Sequence, residues 1–159
     1  MTNRITLTTE GRAMIPFAMK PKNGIILEFV DFKLDTDADL TTISKKDLGI
    51  LGYDVTWIKV NAVQDIKRTL SSAGGGKVPA YFVTIPVSNL FGKDFKQWPF
   101  YIRIEDDRDF PSLLGINILS YFNFTFNYDT GCLEIEAAKK PVIKLPLDDE
   151  QEVNELASI

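Results

Sequence analysis

The chain has 159 residues, no histidine and one cysteine, and its 18 Lys plus Arg stand against 22 Asp plus Glu for a formal charge of −4. Without histidine there is no Ser-His-Asp or Cys-His catalysis and no His-ligated metal. The lone Cys132 excludes an internal disulfide and a Cys-rich zinc site, so any proton transfer falls to carboxylates, Lys or Tyr.

In chain order, β-like pieces at 5–8 and 13–18 come first, followed by the loop Lys20-Pro-Lys-Asn-Gly24. Residues 25–34, Ile-Ile-Leu-Glu-Phe-Val-Asp-Phe-Lys-Leu, predict a strand that is well buried at its start. Ser44 can cap a short helix over 45–51, which Gly52 ends. Residues 55–60 read as a strand. Residues 67–86 read as two strands around the glycine-rich tip Ala73-Gly-Gly-Gly76, and 98–104 as another strand before the charged loop 105–109. Ser112-Leu-Leu-Gly-Ile-Asn-Ile-Leu-Ser-Tyr-Phe122 gives an apolar strand, a glycine break and a short amphipathic helix. Residues 123–128 and 132–136 form a hairpin around Asp129-Thr130-Gly131. The sum is mainly β with two short helices. One domain is expected over 1–138, with a Pro-spaced, acidic and mobile tail over 139–159.

The start of the chain lacks the apolar core of a signal peptide, and no apolar stretch of about 18 residues follows. The expectation is a soluble, cytoplasmic protein. An acidic surplus with no Lys/Arg run argues against nucleic acid or a membrane surface as a partner.

Three motifs need sorting. The run Ala73-Gly-Gly-Gly76-Lys77 leads into Val78-Pro79 and a strand, whereas a phosphate loop leads into a helix. Asp35, Asp37 and Asp39 alternate as in a calcium loop, but the sixth and twelfth places hold Leu40 and Lys46 instead of Gly and Glu. Asp129-Thr-Gly131, the one literal Asp-Thr-Gly, is followed by Cys-Leu-Glu-Ile and sits between alternating strands, which is turn chemistry.

The remaining segments belong together. Leu34-Asp-Thr-Asp-Ala-Asp-Leu-Thr-Thr-Ile-Ser44 resembles the active-site loop of aspartic proteases, Asp-Thr-Gly-Ala with T-x-I-S downstream. Leu113-Leu-Gly-Ile-Asn-Ile-Leu-Ser-Tyr-Phe122 is similar to that family's second hallmark, two apolar residues and a glycine before a short helix. The glycine-rich hairpin lies between them, where the family places its flap. The resemblance is to the retropepsin-like, single-lobe aspartic proteases, and spans residues 25–136.

That resemblance implies a closed β-barrel or sandwich and an aspartic endopeptidase with neither metal nor cofactor. Hydrolysis by carboxylates needs two of them sharing one proton. Two like charges at contact repel by about 4 kcal/mol at an effective dielectric near 20, so such a pair titrates as a unit. One lobe holds one such aspartate, so a homodimer is implied, with Asp35 of each protomer as the catalytic carboxylate. Thr36 would bond across the axis. Ala38 and Asp39 would line the cleft, and Ala73, Gly74 and Gly75 would close over an extended peptide or protein substrate. Asp37 stands where the family has glycine, adding bulk and charge. It separates an endopeptidase from a catalytically inactive dimer that binds an extended peptide or partner chain.

Overall fold

The computed structural model describes residues 3–71, 76–104 and 110–137. Among these residues the elements are β1 (Asn3–Thr6), β2 (Met14–Met19), β3 (Glu28–Leu34), α1 (Lys45–Ile50), α2 (Val55–Asn61), β4 (Val63–Ser71), β5 (Lys77–Leu90), β6 (Lys93–Ile102), β7 (Leu113–Leu114), α3 (Ile116–Leu119), β8 (Phe122–Asn127) and β9 (Cys132–Ala137). The protein is mainly β, and its fold is a mixed two-sheet arrangement. One sheet has the order β1-β9-β8; the other runs β4-β5-β2-β3-β7, with β6 also paired to β5. The β3–β7 pair is parallel, in register Lys33↔Leu113 and Leu34↔Leu114. That parallel pair positions the site.

Strand alternation builds the core. Ile15, Phe17 and Met19 of β2 and Val30 and Phe32 of β3 point inward and are buried. The Phe17 ring lies 5.4 Å from Phe32, 5.6 Å from Phe100 and 5.9 Å from Phe95, in tilted and edge-on arrangements that suit the ring quadrupoles. Leu133 and Ile135 of β9 join the same cluster, so both sheets bury one shared core. Each fully buried aromatic of this kind contributes about 1.5–3 kcal/mol of apolar transfer.

Several expected elements form as read. Ser44 caps α1 by accepting from the Asp47 N–H at 3.0 Å, and β8 and β9 pair from Phe122↔Ala137 to Asn127↔Cys132. Others differ. Residues 55–60 are helical, not extended. Asp54 caps α2 by accepting from the Trp57 N–H at 2.8 Å, and the apolar residues serve a helical face: Ile58 is buried while Val60 is exposed. This makes a third short helix. Strand β3 starts at Glu28, and Ile25 and Ile26 are 93% and 78% exposed, so the expected buried start fails. Its antiparallel partner β2 ends at Met19, opposite Glu28, and leaves 25–27 without a ladder.

Strands β5 and β6 also run further than read, to Leu90 and from Lys93. Pro86 does not stop β5, because the ladder steps past it. Ile85 pairs with Trp98 and Val87 with Lys96, while Gln97 takes a φ of 50°. The charged loop 105–109 and the tail 139–159 lie outside the described residues. Among the described residues no helix is long and apolar enough to cross a membrane.

Candidate active site

Strand β3 delivers Asp35 at its C-terminal end, and β7 fixes it there. Lys33 N–H donates to Ser112 O at 2.8 Å and Asp35 N–H to Leu114 O at 3.1 Å. On the other side of β7, Leu113 and Thr42 exchange both backbone bonds at 2.9 Å. The chain therefore leaves β3, turns, and returns to flank β7. Within the turn Ala38 N–H donates to Asp35 O at 3.2 Å, and Asp37 N–H donates to Asp35 Oδ1 at 3.0 Å. Such an Asx turn holds the carboxylate against its own backbone.

A buried clamp locks this turn to α3. Asn117 Oδ1 accepts from both the N–H and the hydroxyl of Thr41, at 2.9 and 2.8 Å. Thr41 Oγ1 in turn accepts from the Gly115 N–H at 3.0 Å, and Thr41 is fully buried. Ile116 N–H and Asn117 N–H donate to the carbonyls of Ala38 and Asp39 at 2.9 and 3.2 Å. Gly115 makes the close approach possible: a Cβ there would stand 2.6 Å from the Leu40 carbonyl carbon and oxygen. Ser112 adds a further tie, its hydroxyl donating to Asp47 Oδ2 at 2.6 Å and accepting from the Ser44 N–H at 2.9 Å.

A cleft of about 450 Å³ opens between this loop and the β4–β5 hairpin, and its lining brings together Asp35, Asp37, Ala38 and Asp39. Thr36 is exposed and outside that lining. Asp37 is exposed as well, and its φ is not positive, so the place expected to hold glycine imposes no left-handed backbone here. Ala73, Gly74 and Gly75 lie outside the described residues. Asp129 is exposed in the β8–β9 turn. Among the described residues no group of His, Cys, Asp or Glu is gathered to hold a metal ion.

The opposite wall carries Lys67, Arg68, Lys77 and Arg103, none of which the sequence marked as part of the site. Arg68 is turned inward by an irregularity in β4, where pairing jumps from Asp65↔Ala80 to Thr69↔Pro79. It binds Asp65 Oδ2 at 2.8 Å, and the Tyr101 hydroxyl donates to the same oxygen at 2.7 Å. Burial alone would push the Asp65 carboxyl up. The Tyr101 hydroxyl, the Arg68 guanidinium and the Lys67 N–H outweigh it and hold the carboxyl below the usual carboxylate range. Sequence signals for the clamp did exist, since Gly115 and Asn117 fall in the apolar-apolar-Gly hallmark. The basic wall has no local signal.

The fold is similar to that of a retropepsin-like aspartic protease from Rickettsia conorii, with 24% identity and a TM-score of 0.56, covering 87% of this chain and 94% of that one. The fold is retropepsin-like. The retroviral protease-like domain of Ddi1 from Leishmania major also matches, at 16% identity and a TM-score of 0.46 over 91% of this chain and 98% of that one. No protein-family model and no curated protein matches the chain. Within this retropepsin-like fold the Asp35 turn stands at the end of β3 beside β7, facing the cleft.

Proposed function

We propose that the protein is an aspartic endopeptidase acting as a homodimer, in which the Asp35 carboxylates of two protomers meet across a two-fold axis. The observation that carries this reading is a cleft-facing aspartate whose turn is clamped on both sides of β7. One chain supplies one such turn, and a second copy supplies the other. One Asp35 carboxylate takes a proton from water as the water oxygen attacks the scissile carbonyl carbon. The other, protonated, gives its proton to the carbonyl oxygen. The resulting gem-diol returns a proton to the dyad, the amide nitrogen is protonated, and the C–N bond breaks. Thr36, exposed beside Asp35, holds the two loops together in the dimer. The peptide lies extended in the cleft, bonded through its main chain.

Asp37 supports a second reading, a catalytically inactive dimer that binds an extended peptide. Its exposed carboxylate raises the number of acidic groups at the two-fold axis to four and repels the partner loop. Sedimentation combined with a peptide-cleavage assay tests both. A dimer that cleaves is expected, and a strict monomer at high concentration removes the shared dyad. Asp37→Gly should raise kcat/KM several-fold. A dimer that binds peptide yet cleaves in neither form is the inactive protein.

A further inference from the structure

We infer that the peptide held in this cleft carries acidic side chains at its hairpin-facing positions, recognised by Lys77 and Arg103 across from the aspartates; this rests on the cleft being the peptide-binding site. The cleft has two walls of opposite sign. Asp35, Asp37 and Asp39 stand on one, and Lys77 and Arg103 stand on the other, in the same lining. The nearby Arg68 is committed to Asp65, so its charge is balanced within the wall.

Two contacts aim Arg103. Its Nε donates to Ser71 O at 3.2 Å, and its guanidinium lies 4.9 Å from the centre of the Phe110 ring. Those contacts orient a planar fork of donors, the geometry that meets a carboxylate. Lys77 is exposed and sits opposite Ser71 in the β4–β5 register, so Ser71 joins the two cations at one level of the hairpin. In an extended peptide every second side chain faces the same wall. Acidic residues at the hairpin-facing positions meet Lys77 and Arg103. At the alternate positions they meet Asp37 and Asp39 and are rejected, so both attraction and repulsion set the preference.

The test uses the full-length protein, a randomised peptide library and two labelled peptides differing only by Glu or Lys at the selected position. The Glu peptide should be favoured about tenfold in kcat/KM and in affinity, the yield of two partly exposed ion pairs. The preference should shrink as salt rises from about 0.05 to 0.5 M. Lys77→Glu alone, an exposed change, should reduce the ratio several-fold, and Lys77→Glu with Arg103→Glu should reverse it. Binding measured on Asp35→Asn separates the two readings. Glu-selective binding without cleavage by the wild type sustains this inference and removes the protease reading. Cleavage with no charge preference, a preference untouched by Lys77→Glu, or binding of neither peptide overturns it.

Discussion

Two Asp-Thr-x turns lie in this chain, and what their backbones are tied to differs. At 129–131 the turn joins β8 to β9: Thr130 N–H donates to Asn127 Oδ1 at 3.2 Å, Gly131 takes a φ of 67°, and Asp129 and Thr130 face solvent. At 35–37 the turn lies in the cleft lining, with its backbone bonded to β7 and its return limb tied to α3 through Thr41 and Asn117. The turn with the literal motif is surface punctuation. The one that departs from it is tied to β7 and, through its return limb, to α3. The proposed mechanism puts the reacting carboxylate on the turn that is fixed in place, since positioning within a fraction of an ångström is what acid/base work demands.

The largest effect tests that contrast directly. Asp35→Asn should lower peptide cleavage about 10³-fold or more, while Asp129→Asn leaves it unchanged, as read from kcat/KM on one peptide. An essential Asp129 would invert the assignment. Next come the glycines. Gly115→Ala places a methyl group 2.6 Å from Leu40 backbone, where nothing flexible can yield, and should cost about 3 kcal/mol or more in denaturant unfolding. Gly131→Ala meets no atom within 4 Å and is penalised only by its φ, about 1 kcal/mol. Equal losses would mean that the two turns are supported alike.

The polar supports differ by a smaller margin. Asn117→Ala strips the acceptor from the buried Thr41 N–H and hydroxyl, so unfolding free energy should fall by about 2–3 kcal/mol, with kcat/KM falling too. Asn127→Ala removes an exposed acceptor of the Thr130 N–H and should cost under about 1 kcal/mol with no effect on cleavage.

The Asp35 turn, β7, Gly115 and α3 were legible because each is a contiguous pattern, and the β8–β9 hairpin was legible for the same reason. Helix α2 was not, because Val55, Ile58 and Val60 are β-branched and favour an extended reading; only packing shows that Ile58 alone is buried. The start of β3 misled through its composition, since Ile25 and Ile26 find no partner strand. The basic wall could not be read at all. Its members come from β4, β5 and the residue that follows β6, and Tyr101 reaches Asp65 across 36 positions of sequence. Such pairings belong to the sheet register, which no local window contains.

Asp65 sharpens the comparison from the opposite side, as a carboxylate that is buried and fully answered. Its folded-state pKa is lowered: burial pushes it up, but the Tyr101 hydroxyl, Arg68 and the Lys67 N–H pull it further down. A group of this kind contributes stability above its unfolded pKa, near the ordinary value of about 3.9, and that stability is lost as pH falls through the lower folded value. Tyr101→Phe removes one of those bonds without emptying the core, so Tm at neutral pH should drop by the equivalent of about 1 kcal/mol. The gap between variant and wild type should narrow as calorimetric scans move from neutral pH to below about pH 4, because protonated Asp65 has less to lose. A gap that stayed constant through that range would mean that Tyr101 acts by packing alone. The buried carboxylate would then owe its charge to Arg68, and the β4 irregularity that turns Arg68 inward would become its chief support.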